Sequence, residues 1–176
     1  MNEYKFDLKD LSKAELFLSP NLDFILRKYK DNKLVESFCV YNGEIASYMP
    51  FILRFCYEEK VDLMENEFLK DLPKNNKCKI NKPYIPNDEI NKDYILTDFQ
   101  RVLEKNEEPI VSKEGNLIIC FHNLFNQSIS FNKEDISNLI EGIIKVLDYD
   151  GIIKAQEKCI QIIQYYHECL DNKLFD

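Results

Sequence analysis

The sequence predicts a mainly α protein, a single-domain helical bundle of about six or seven helices over residues 1–176, with one small β-hairpin as an option. Three observations carry that prediction. Apolar residues recur at the spacing of a helix face, most clearly over residues 136–147. Glycine and proline, four and six residues, are too sparse for a loop-rich or disordered chain. A length of 176 residues with 45% apolar composition suffices for one core without staples.

In chain order, LSPNLDFILRKYKDN (residues 18–32) reads as a helix. Ser19 caps it, Pro20 takes its first position, and Leu22, Ile25, Leu26 and Tyr29 share one face. Residues 33–48 fit two readings. Asn42-Gly43 between β-prone runs is a hairpin signal; equally, it ends one element before a buried helix near Ile45 to Tyr57, started or kinked at Pro50. The apolar run from Met49 to Cys56 is long for a strand and favours the helix. CYEEKVDLMENEFLKDL (residues 56–72) then reads as an acidic helix with Val61, Leu63, Met64, Phe68, Leu69 and Leu72 as its apolar stripe.

Residues 73–87 hold three prolines and a cluster of lysines, and read as a loop between two sub-bundles. Asn87 caps the next helix, whose Asp88 and Glu89 complement its dipole and whose Ile95, Phe99, Val102 and Leu103 face inward. Residues 109–122 are again open. Leu117, Ile118, Phe121, Leu124 and Phe125 suit a helix, while a turn at Lys113 to Asn116 suits a strand. The following start is the best defined. Asn132 caps, Asp135 closes a capping box, Phe131 staples to Ile136, and Ile136, Leu139, Ile140, Ile143, Ile144 and Leu147 form the stripe. Gly151 separates this helix from a last one, apolar around more than half its girth and therefore central. No internal repeat of fixed period is present.

The charge is segregated. Net charge is −8, yet residues 1–60 are nearly neutral, and from residue 61 onward 21 acids face 14 bases. Four of those bases, Lys74, Lys77, Lys79 and Lys82, sit in the proline loop. A candidate partner-binding set follows from the density of acids: Glu58, Glu59, Asp62, Glu65 and Glu67, then Glu104, Glu107 and Glu108. Tyr84 of the loop is the candidate exposed aromatic. Such a face speeds encounter with a basic protein and repels nucleic acid and anionic membranes.

Chemistry-bearing motifs are sparse. The two histidines each lie two residues from a cysteine, as Cys120/His122 and His167/Cys169. Neither spacing matches a zinc module, and helical positions i and i+2 diverge, so neither pair reads as a metal or nucleophilic site. Glycine-rich phosphate loops and hydrolase signatures are missing, and no cofactor is implied. Six cysteines without a C-x-x-C pair, a start (MNEYKFDLKD) lacking a signal peptide's apolar run, and no charge-free window of ~20 residues suggest reduced thiols in a cytoplasmic protein.

Small, acidic and free of enzyme motifs, the chain resembles the immunity proteins of bacterial toxin systems, including those against contact-dependent growth inhibition. Its Lys-, Asn- and Ile-rich composition suits an AT-rich bacterial or phage coding sequence. The resemblance implies a protein, not an enzyme, that covers the active site of a basic toxin, typically a nuclease, with its acidic surface. Two other readings stand beside it: a phage or bacterial inhibitor or adaptor with a different partner, and an enzyme of another kind using His122 or His167.

Overall fold

The computed structural model describes residues 2–72, 110–111, 115–121 and 127–171. It corrects the expectation of a helical bundle. Residues 3–41 form a four-stranded antiparallel meander of β1 (Glu3–Asp7), β2 (Lys13–Leu18), β3 (Asp23–Lys30) and β4 (Lys33–Tyr41), side by side in that order. The stretch expected as a helix over residues 18–32 is the end of β2, a turn, and β3.

The local chemistry explains the misreading. Ser19 and Pro20 begin a turn instead of a helix: the Leu22 N–H bonds the Ser19 carbonyl at 2.8 Å, and the Asp23 N–H bonds Ser19 Oγ at 3.0 Å. Serine and proline favour turns and helix starts for the same reasons, a side-chain acceptor and a preset φ. Between β3 and β4 the chain reverses through Asp31 and Asn32, both with left-handed φ, 52° and 63°. A two-residue loop with two positive φ angles matches the twist of paired strands, and Asp and Asn tolerate it best after glycine.

Alternation places Ala14, Leu16, Leu18, Phe24, Leu26, Phe38 and Val40 on the buried face. The opposite face is half open and carries Phe17, Ile25, Arg27 and Cys39. After β4, Asn42-Gly43 does not turn a hairpin. Asn42 is buried, donates its Nδ2 to the Leu22 carbonyl at 2.8 Å, and opens a 3₁₀ turn leading into α1 (Ile45–Glu58), with Pro50 inside the helix. The helical reading of that stretch is therefore the correct one.

A second antiparallel sheet comprises β5 (Ile110–Val111), β6 (Leu117–Phe121) and β7 (Gln127–Phe131). Residues 117–121 thus form a strand, preceded by Gly115 at φ 80°. β7 lies along β4, and side chains join them. Lys28, on the buried face of β3, donates Nζ to the Ser130 carbonyl at 2.7 Å and pairs with Glu36 at 3.3 Å. The Glu36 carboxylate in turn accepts the Ser130 N–H at 3.0 Å.

Asn132 caps as expected, accepting the Glu134 N–H. No capping box forms, because the Asp135 carboxylate is turned to the Lys9 N–H, at 3.1 Å, and ties the β1–β2 turn to the start of α3 (Ile136–Val146). Burial raises the Asp135 pKa; the Lys9 N–H works against that rise, and the nearby Asp10 and Glu134 charges add to it. Short of α2, the single turn Glu67–Lys70 described below, the last element is α4 (Ile153–Asp171), which packs on α1 and buries Ile160, Ile163 and Cys169. The expected loop at 73–87 and the helix after Asn87 lie outside the described residues.

α3 crosses β1 and β2 closely. An added Cβ at Gly142 would stand 2.5 Å from Tyr4 Cδ1 and 3.1 Å from Leu16 Cδ2. The Tyr4 ring cannot swing away freely, because its hydroxyl is bonded to Glu141 and Lys145 covers its face. Gly142→Ala is therefore expected to destabilise the protein by about 1–3 kcal/mol by overpacking, despite the roughly 1 kcal/mol that alanine gains over glycine in a helix. Urea unfolding measures the difference, and a more stable variant would contradict the close contact.

Candidate functional site

The acidic stretch at residues 56–72 is not one helix. α1 stops at Glu58 in a Schellman end: Val61 N–H bonds the Cys56 carbonyl at 2.9 Å, and Lys60 N–H bonds that of Tyr57 at 3.4 Å. Lys60 occupies the left-handed position, φ 56°, usually given to glycine. Two short side chains then start new turns. Asp62 Oδ1 accepts the Met64 N–H at 2.9 Å and caps a 3₁₀ turn at Leu63–Glu65; Asn66 Oδ1 accepts the Leu69 N–H at 3.0 Å and caps α2. Such residues compete for backbone N–H groups and so interrupt a helix that the apolar spacing alone would continue.

Leu63, Leu69 and Leu72 are buried and hold this segment down. Its polar anchor is Glu141 of α3, which accepts from Asn66 Nδ2 at 3.0 Å, Tyr4 Oη at 2.9 Å and Lys145 Nζ at 2.8 Å. The Lys145 ammonium also stands 4.9 Å from the Phe68 ring centre and 5.3 Å from that of Tyr4. Burial alone would raise the Glu141 pKa, but the three donors hold its carboxyl below the usual range. The Tyr4 hydroxyl is pushed up by burial and by the bond to Glu141.

The acids expected at the site divide by role. Glu58 is exposed but committed, as its carboxylate meets Nε of the buried Arg54 at 2.9 Å. Glu59 is half buried, and Asp62 is spent on its cap while remaining exposed. Glu65 and Glu67 are exposed and enter no ion pair among the described residues. Met64, 37% exposed, lies between them and Asp62. Tyr84, Glu104, Glu107 and Glu108 lie outside the described residues.

The structure adds an acid that sequence density missed. At the end of α4, Asp171 is exposed, and both Asp171 and Asp62 act electrostatically on His167. Burial lowers the His167 pKa, and the two carboxylates oppose that shift. His167 Nε2 is buried without a hydrogen-bond partner among the described residues, while Cys169, two residues on, is fully buried. His122 lies outside the described residues, as does the side chain of Cys120. Among the described residues no three His, Cys, Asp or Glu side chains gather to hold a metal ion, and no helix is long and apolar enough to cross a membrane.

Glu141→Gln is expected to lose about 1 kcal/mol of stability and to speed amide exchange across residues 63–70. The sign of its pH dependence follows from the depressed carboxyl. The stabilisation is complete above the ordinary glutamate pKa of 4.5 and is lost as pH falls through the lower folded value, so wild type and variant converge in acid. Denaturant titrations at several pH values check this, and a gap that widens in acid would contradict the assignment.

No family model matches the chain, and no curated protein or solved structure matches it.

Proposed function

We propose that the chain is an immunity protein, a cytoplasmic binding protein and not a catalyst, that neutralises a basic toxin by laying the acidic segment Glu58–Asp71 over its active site. A nuclease domain is the partner best suited, because a surface built to hold a polyanion is complementary to clustered carboxylates. The observation that carries the reading is the presentation of Glu65 and Glu67. Their charges have no counter-ion among the described residues, while their backbone is held by two caps, three buried leucines and Glu141. Between Glu58 and Asp71 six acids face only Lys60 and Lys70, a net of −4. Surface left for solubility alone gains nothing from being pinned at this many points.

Met64 supplies an apolar contact inside the charged rim, the arrangement that excludes water around a few anchoring residues. Asp171 extends the negative surface beyond the segment itself. Glu58 contributes less than its position suggests, since Arg54 already compensates it.

The test begins with affinity capture from the native host's lysate at low salt and identification of a stoichiometric basic protein. Association of that partner is then timed with the Glu65→Lys/Glu67→Lys variant. The double reversal is expected to slow association at least about tenfold and to flatten its dependence on salt. An unchanged rate and salt dependence would remove the acidic segment from the interface.

A further inference from the structure

We infer that the outer face of the first sheet joins two copies of this chain, packed face to face about a twofold axis that runs along the strands between β2 and β3. The acidic segment and its partner play no part in this contact.

The starting observation is Arg27. It lies on the outward face of β3, its guanidinium 5.1 Å from the Phe17 ring centre, and its Nε is buried with no acceptor among the described residues. Glu15 is its direct neighbour across β2 and β3, yet the two form no ion pair, and Arg27 has none among the described residues. A half-buried guanidinium set against an aromatic ring, with no carboxylate paired to it among the described residues, carries a charge that an acid brought from outside can meet.

The register supplies one. Across β2 and β3 the outward residues pair as Lys13 with Tyr29, Glu15 with Arg27, and Phe17 with Ile25. A twofold along the strands superposes β2 of one copy on β3 of the other. Glu15 then stands over Arg27 twice, Phe17 over Ile25 twice, and Lys13 over Tyr29 twice, at the ~10 Å separation and ~30° skew of stacked sheets. The flanking strands bring no like charges together, because β1 falls over β4, whose outward Ser37 and Cys39 are neutral. A twofold across the strands through the same row would instead set Glu15 over Glu15 and Arg27 over Arg27. Charge therefore selects one geometry, with a second copy as occupant.

About a dozen outward side chains per copy is below the 20–30 of a standard interface, so the dimer is expected to be weak, with Kd in the micromolar range. Sedimentation of the full chain from about 1 to 100 μM tests it. The expected result is a reversible monomer–dimer equilibrium. Glu15→Arg and Arg27→Glu should each raise Kd at least about tenfold, and the double swap E15R/R27E should return it to within about threefold of wild type. Thermal unfolding of each variant confirms that the fold is retained. A wild type that stays monomeric throughout overturns the inference and leaves the face to a different partner. A dimer insensitive to the single changes, or not rescued by the swap, overturns it equally.

Discussion

A lysine buried on the core face of a central strand sets the terms for the rest of the structure. Lys28 stands where alternation demands an apolar residue, and it is only 9% exposed. An unpaired charge there would cost several kcal/mol, so the surroundings are built to answer it. Glu36 supplies the counter-charge from β4, Ser130 a carbonyl from β7, and Phe131 a ring face 5.5 Å away. Because Glu36 also takes the Ser130 N–H, the ion pair engages both backbone groups of that residue, as a neighbouring strand would. The two sheets are thus joined edge to edge by side chains in place of a ladder, and the need to neutralise one cation aligns them.

Glu141 does for the acidic segment what Lys28 does for the sheets. It is a charged side chain, 15% exposed, whose partners come from three separate parts of the chain. Residues 63–70 contain only two short turns, too little regular structure to hold their shape alone. Their conformation comes from capping side chains and from this one carboxylate. Charged groups that are ordered before a partner arrives bind without the entropy cost that flexible ones would carry.

How much of this was legible in the sequence depends on which residues shared a face. α3 was legible almost residue by residue, because every residue of its stripe, Ile136, Leu139, Ile140, Ile143, Ile144 and Leu147, is buried. β3 was not. Its inner face carries Phe24 and Leu26 but ends in Lys28, while its outer face carries Ile25 and Tyr29. Apolar residues on both faces mimic the i, i+3, i+4 spacing of a helix, and a lysine at an inward position erases the alternation of a strand. The Asp31–Asn32 reversal was the missed local signal. At the candidate site, the density of acids picked out a segment but not its form. Asp62 and Asn66 were visible as short polar residues, yet only tertiary contacts show that they break the helix. Glu141 and Asp171 gave no signal, since their importance lies in neighbours distant in sequence.

The thiols of α1 and α4 have a consequence for reactivity. Cys56 and Cys159 are fully buried, and burial pushes both thiols up to about 12. Reaction with oxidants or electrophiles requires the thiolate and a path to it, and the folded protein withholds both. Because both cysteines belong to the core, modification can proceed only when that part of the core opens. Their alkylation rate is therefore a clock for the opening of this part of the core, readable in a mixture without purifying the protein.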